Sequence, residues 1–383
     1  MKTIRDSLYG YIQVNDQEQA VLDSPQMQRL RRIRQMGLTP LVYPSGTHTR
    51  FQHSIGVMHL AGRFAESLEL DKERTQEVRL AALMHDSGHG PFSHASEVVA
   101  EEKGLSHEEL SCRKVEKLED RFSADADRIK KMIRGELEVG QIVAGDIDAD
   151  RMDYLQRDAH NSGAEYGHID SDTIIRVAEI DSRRLVFGYK AVQALESLLT
   201  ARFHMNKSVY LHDTSRIAEK MLQRALEDYV ETNSLEEMMQ LDDYTAHTGL
   251  MNSEGLSRYY YSKIRDRNLF KTALNWDIQS KSRTDMEKLE EEIDEKQLEK
   301  DIAETAGLPQ KKVLVSKPWT PEIKDIDIKV KKGSEVKKLS EYSPIPEALG
   351  KAEWRLVDMN VHTEKKHREK VRKASKQVLE QKL

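Results

Sequence analysis

The chain first shows a clear pattern at TIRDSLYGYIQVN, residues 3–15, where β-forming residues flank Gly10 and predict a short hairpin. The period then lengthens. DSPQMQRLRRIRQMG, residues 23–37, predicts a helix capped by Asp23 or Ser24, with Pro25 in its first turn and Gly37 at its exit. From Gly56 to Glu69 and from Glu73 to Met84 apolar residues recur at three-to-four spacing, as in Val78, Leu80, Ala81, Leu83 and Met84, and predict core helices. Helical patterning continues over 107–120, 126–134, 138–160, 188–211 and 214–231. The first two thirds of the chain are therefore expected to be almost wholly α-helical.

The pattern changes after about residue 280. RTDMEKLEEEIDEKQLEKDIAETAGLPQ is highly charged yet keeps Met286, Leu289, Ile293, Leu298 and Ile302, which predicts one or two amphipathic helices or a solvated connector. Beyond Pro309, KKVLVSKPW, DIDIKVKKG and AEWRLVDMNV have β character, and TEKKHREKVRKASKQVLEQKL ends the chain as a basic helix or tail with a solvated face. The expected organisation is a helical domain over 1–230, a helical extension and charged connector over 231–306, and a small α+β region over 307–383. The fold class is mainly α.

Composition narrows the function. With 60 basic and 66 acidic residues the net charge is -6, which is not the signature of a dedicated nucleic-acid binder. No run approaches a membrane span and the amino terminus has no signal-like apolar core, so a soluble chain is expected. Cys112 is the single cysteine, which excludes an intrachain disulfide and a thiolate cluster and fits a reducing cytoplasm.

The unusual chemistry sits in LMHDSGHGPFSH, residues 83–94. Three histidines and a carboxylate in so short a stretch suit a divalent metal, because Mn, Fe, Ni and Zn ions take imidazole nitrogen and carboxylate oxygen. Adjacent His85 and Asp86 cannot complete a shell alone. His53 in HTRFQHSIG and Asp150 in GDIDADRMDYLQRDAH are the candidates to join them. The other histidines, His48, His59, His160, His168, His204 and His212, are expected to be ordinary core or surface residues.

RFQHSIGV, HDSGHGPFSH, LSHEE and DADRMDYLQRDAHNSG together resemble the HD-domain metal phosphohydrolases, in the branch of the deoxynucleotide triphosphohydrolases. The likeness runs from Lys2 to about residue 230, and no SAM domain is expected ahead of it. The resemblance implies an HD helical core and His53, His85, Asp86 and Asp150 as ligands of a divalent metal (Mn, Fe, Mg, Ni or Zn). It also implies attack of water at the α-phosphorus of a dNTP, releasing a deoxynucleoside and intact triphosphate. The 5′-alkoxide needs a proton, for which His94 is the first choice, with Glu97 three residues on to orient it. His89 and His107 match phosphate-side histidines, and Arg50 and Arg151 match phosphate contacts. Gln35, Met36, Tyr154, Asp158 and Tyr210 match residues around the sugar, where an apolar contact over C2′ leaves a ribose hydroxyl unpaired at a cost of about 1–3 kcal/mol.

Asn206 departs from the family pattern, which bears on base or sugar preference. Lys2, Asp23, Gln28 and Arg31 match an activating guanine-nucleotide site at a subunit interface, which implies a homo-oligomer, dimer or tetramer. Two rivals stand beside this reading: an HD phosphohydrolase of another nucleotide (NTP, nucleoside monophosphate or cyclic dinucleotide), and a non-catalytic nucleotide or nucleic-acid sensor on the same fold.

Overall fold

The computed structural model describes residues 2–276, 278, 288–289, 292–318 and 327–382; Met286 of the charged stretch lies outside them. Two compact units are interleaved along the chain. The first comprises Met1–Val209, Asn233–Thr248 and Lys324–Glu347, the second Tyr210–Thr232, Gly249–Ile323 and Ala348–Leu383. Among the described residues no helix is long and apolar enough to cross a membrane.

The first unit opens with the expected hairpin, β1 (Lys2–Asp6) and β2 (Gly10–Val14), paired antiparallel from Lys2↔Val14 to Asp6↔Gly10. A helix α1 (Asp16–Leu22) follows, capped by Asn15 in a capping box with Glu18. The pattern reading missed it. The helix expected over 23–37 is shorter: α2 (Pro25–Arg29), capped by Ser24, passes through a 3-10 turn and stops at Arg32. Ile33 is extended there, its carbonyl accepts from the Arg50 N–H at 3.0 Å, and the Gln35 N–H donates to the His48 carbonyl at 3.0 Å. Backbone pairing with a distant segment wins over a local helix whose propensity is only a weak prior.

Three helices make the core of this unit: α3 (Arg50–Ser67), α4 (Lys72–Met84) and, after short helices α5 (His94–Glu101), α6 (His107–Lys117) and α7 (Ala126–Ile133), α8 (Ala149–Ser162). Met58, Leu60 and Phe64 of α3 and Leu80 and Leu83 of α4 are fully buried. Helix was expected from 138 to 160, but the chain breaks before α8. The Asp148 carboxylate accepts from Gly145 N–H at 3.0 Å and Arg151 N–H at 2.7 Å, closing the preceding turn and capping α8 in one group.

After α9 (Ser171–Arg176) come β3 (Ala178–Asp181) and β4 (Arg184–Gly188), so the helix expected from 188 begins later, as α10 (Val192–Met205). β4 pairs in parallel with the strand Lys329–Lys332, Phe187 opposite Val330, and that strand turns back antiparallel onto Glu335–Lys338.

The second unit holds the helices Asp213–Thr232 and Gly255–Arg265 and a three-stranded antiparallel sheet in which Met359–Thr363 is central between Lys271–Trp276 and Val313–Ser316. The helix Glu295–Thr305 and the carboxy-terminal helix Arg368–Lys382 close its core through Leu298, Ile302, Val371, Val378 and Leu379. AEWRLVDMNV, expected to be strand, is divided. Ala352 to Trp354 end a helix, and only Met359 onward is strand.

Candidate metal centre

Three helix ends deliver the site. The first turn of α3 carries Arg50 and His53, the end of α4 carries His85 and Asp86, and the first turn of α8 carries Asp150. His53 is fully buried. Its Nδ1 meets Asp153 Oδ2 at 2.8 Å, which aims Nε2 at Asp150 Oδ1, 2.9 Å away, and Asp86 Oδ2, 3.6 Å away. His85 Nδ1 donates to the Ala82 carbonyl at 2.7 Å, so its Nε2 faces Asp86 Oδ1 at 3.3 Å and Asp150 Oδ1 at 3.6 Å.

The donor set fits a divalent cation. Both Nε2 atoms are buried without a hydrogen-bond partner, although carboxylate oxygens stand close by. Lone pairs that converge without pairing are what a metal needs, and His53, His85 and Asp86 offer atoms within 4.8 Å of one another. Burial pushes the His53 pKa down, but the Asp150 and Asp153 carboxylates outweigh it and raise the value to about 10. A bound cation reverses that balance, because imidazole must be unprotonated to coordinate.

Beside the cluster lies a histidine relay. The His89 ring stacks on His107 at 4.1 Å, and His89 Nε2 is 3.3 Å from Asp86 Oδ1. Glu97 bridges: one oxygen contacts His107 Nδ1 and the other lies 3.2 Å from His94 Nδ1. Burial, with Arg50 and His107, drops His89 to about 3, whereas for His107 the Glu97 carboxylate outweighs burial and raises it to about 9. His89 is therefore neutral and His107 charged at neutral pH. His94 begins α5 with its side chain 70% exposed.

The turn that places it is strained at two non-glycine residues. Phe92 (φ 60°) and Ser93 (φ 51°) are left-handed, held by Phe92 N–H to Asp243 at 2.7 Å and Ser93 Oγ to the Arg34 carbonyl at 2.8 Å. Gly88 is not left-handed; it is needed because a Cβ would strike the backbone of His107 and Ser111.

Arg50 is buried and spends its guanidinium on Asp86 and, at 2.8 Å, on Ser93 Oγ. Arg151 hydrogen-bonds the Asp146 carbonyl and, with His85, Asp86, His107, Asp150, Arg184 and Lys329, lines a cavity of about 700 Å³. The expected sugar residues do not line this cavity. Met36 is 5% exposed, Gln35 and Tyr154 are half-buried, and Asp158 is buried 2.7 Å from His48 Nε2. Tyr210 is the first residue of the second unit, and Asn206 opens the turn after α10. Of the activator set, Lys2 is exposed on β1, Asp23 ends α1, and Gln28 donates to the Leu22 carbonyl at 2.7 Å. Arg31 bonds Gln28 Oε1 at 2.9 Å and lies over Phe51 at 3.7 Å.

Two supports escaped the sequence reading. Asp153, which orients His53, is itself gripped by Arg157, and Arg157 reaches Asp6 at 2.8 Å. The signal was present as Asp150, Asp153 and Arg157 at helical spacing. The second is a buried cationic clasp: Arg29 donates to the Ser87 carbonyl at 3.1 Å and His89 carbonyl at 2.5 Å, and Lys114 also donates to Ser87. His107, Ser111 and Lys114 share one face of α6.

Residues 50–158 match the HD domain family and residues 169–382 the HD associated region. The chain belongs to the HD-domain phosphohydrolase family. It is thus a hydrolase by family, and HD domains are metal-dependent. An uncharacterized protein of Methanocaldococcus jannaschii is 37% identical over 379 residues, 95% of this chain and 80% of that one. The deoxynucleoside triphosphate triphosphohydrolase SAMHD1 homolog of Dictyostelium discoideum is 30% identical over 308 residues, covering 70% of this chain and 59% of its own. Human deoxynucleoside triphosphate triphosphohydrolase SAMHD1 is 29% identical over 342 residues, covering 71% of this chain and 54% of its own. The chain thus spans somewhat more than half of those two enzymes. A hypothetical protein of Aquifex aeolicus has the same fold at TM-score 0.81 and 29% identity, covering 97% of this chain and 99% of that one. A phosphohydrolase of Bacteroides thetaiotaomicron does so at TM-score 0.77 and 28% identity, covering 95% and 100%.

Proposed function

We propose that this HD-domain protein is a metal-dependent dNTP triphosphohydrolase that cleaves a dNTP to deoxynucleoside and intact triphosphate. The observation that carries the reading is the Glu97 bridge between His94 and His107 beside the His53, His85, Asp86 and Asp150 donors, in a chain similar to named dNTP triphosphohydrolases.

His53, His85, Asp86 and Asp150 hold the cation, which when bound supplies positive charge that polarises phosphoryl oxygens and acidifies water. Asp153 and the Ala82 carbonyl fix the two ring tautomers that leave each Nε2 free to coordinate. Charged His107, with Arg50 and Arg151, balances the phosphates, and neutral His89 adds a hydrogen bond. Water adds to the α-phosphorus, the bond to O5′ breaks, O5′ takes a proton from His94, and a proton given up by the attacking water restores the His94 ring. Glu97, 3.2 Å from its Nδ1, orients that ring. Gln35, Met36, Tyr154 and Asp158 of the first unit are proposed around the sugar. A guanine nucleotide is proposed as activator at Lys2, Asp23, Gln28 and Arg31, where Gln28 and Arg31 already meet at 2.9 Å.

The test is a panel of the four dNTPs and four NTPs with metal-loaded protein, with and without GTP, resolved for every product by ion exchange. Equimolar deoxynucleoside and tripolyphosphate is the expected result. Orthophosphate, pyrophosphate or a nucleoside monophosphate as the product would assign a different phosphohydrolase activity.

A further inference from the structure

Positive charge is concentrated towards the carboxy terminus, in the second unit, although the whole chain carries -6. Between Glu364 and Lys376 stand seven lysines and arginines against Glu364 and Glu369. On the helix Arg368–Lys382, Val371, Ala374, Val378 and Leu379 face the core. Lys370, Lys373 and Lys376 are exposed and recur every third residue, so they form one stripe. Among the described residues none of these three has an ion pair, and like charges at that spacing disfavour the helix that carries them.

The stripe begins at a second concentration of charge. Glu364 Oε1 accepts from Lys312 at 2.6 Å, Lys263 at 2.9 Å and the Tyr259 hydroxyl at 3.0 Å, while Lys366 approaches its other oxygen at 3.5 Å. Lys311 stands 5.0 Å from the Tyr259 ring centre. One carboxylate thus serves three ammonium groups, and Lys311 is left over. The segment is braced: the Lys311 carbonyl accepts from Tyr260 at 3.1 Å and the Lys312 carbonyl from Thr363 at 2.6 Å.

We propose that this surface binds the phosphate backbone of a nucleic acid, independently of sequence. Three separate chain segments bring the ammonium groups together, which a solvated helix face does not require. Arg368 to Lys376 alone spans on the order of 12 Å, so the charge matches an extended chain of phosphates rather than one triphosphate. A membrane surface fits less well, because the apolar side of the carboxy-terminal helix is committed to the core and has nothing to insert.

The experiment is fluorescence anisotropy of the full chain with a labelled oligodeoxythymidylate of about 20 nucleotides at about 50 mM salt. The expected result is micromolar binding that weakens steeply with salt. It should weaken tenfold or more in Lys370→Glu/Lys373→Glu/Lys376→Glu and in Lys311→Glu/Lys366→Glu, each with an unchanged circular dichroism melt. If a reversal variant does not fold, the Lys→Gln triple reads the same loss. Lys72→Glu/Lys103→Glu/Lys131→Glu in the first unit carries the same charge change and should bind as the parent does. No binding at low salt, equal loss in that control, binding of phosphatidylserine vesicles but not of the oligonucleotide, or loss of self-association instead of oligonucleotide binding would each overturn the proposal. None of these readouts involves turnover, so failure here is separate from failure of the triphosphohydrolase reading.

Discussion

Replacing Gly56 by alanine perturbs the support of the metal centre without touching a candidate ligand. Gly56 is on α3 against α8, where a Cβ would stand 2.7 Å from Asp153 Cγ and closer still to its carboxylate oxygen and to the Arg157 guanidinium. Propensity alone favours the change, by about 0.8–1 kcal/mol for glycine to alanine inside a helix. The obstacle is immobile. Asp153 is fully buried, holds His53 Nδ1 at 2.8 Å, and takes Arg157 through Nε at 2.8 Å and Nη2 at 2.9 Å. Overpacking costs about 1–3 kcal/mol, so the net expectation is a loss of up to about 2 kcal/mol rather than a gain. Displacing the carboxylate that orients a histidine ligand should also weaken metal retention about 10–100-fold. Urea unfolding of metal-free protein gives the first quantity, and metal content after dialysis against a graded chelator gives the second. A Gly56→Ala protein more stable by about 1 kcal/mol, with parental metal content, would refute the packing argument and the role given to Asp153.

Asp150→Ala should abolish hydrolysis and lower bound metal, and parental occupancy would remove Asp150 from the ligand set. His94→Ala should lose turnover at least about 100-fold while keeping metal and substrate affinity, as expected for a proton donor; a near-parental rate would move that role to His89 or His107. His362, buried in the second unit between Thr272 Oγ1 at 3.3 Å and Ser316 Oγ at 3.2 Å, is lowered to about 3 by burial, aided by Arg216 and Lys220. Unfolded histidine titrates near 6.5, so its contribution is complete above that pH and is lost as pH falls towards 3, by up to about 1.4 kcal/mol per pH unit. Denaturant unfolding from pH 7 to 4 should show a shallower fall in His362→Asn than in the parent, and parallel curves would contradict the assignment.

Much of this was legible in the sequence because local chemistry fixed it. His85 and Asp86 end an apolar helix, Asp150 follows a capping aspartate, and both placements rest on short-range rules. The His94 and Glu97 pair at i,i+3 was legible for the same reason. What escaped depends on tertiary contact. Glu97 reaches His107 only through the fold, and Asp153 resembles an ordinary solvated helix position until His53 and Arg157 are placed on it. The extended run from Ile33 to Gln35 exists because residues 48–50 pair with it. The hairpin β3–β4 is short and gains a third strand from Lys329–Lys332, far along the chain. Its pattern alone was too brief to override the helical surroundings.

The most direct measurement is hydrolysis of a dNTP by metal-loaded protein in H₂¹⁸O, with mass analysis of both products. Attack of water on the α-phosphorus with cleavage of the bond to O5′ predicts one ¹⁸O in the tripolyphosphate and none in the deoxynucleoside. Label in the deoxynucleoside, or in a nucleoside monophosphate, diphosphate or orthophosphate, would contradict it.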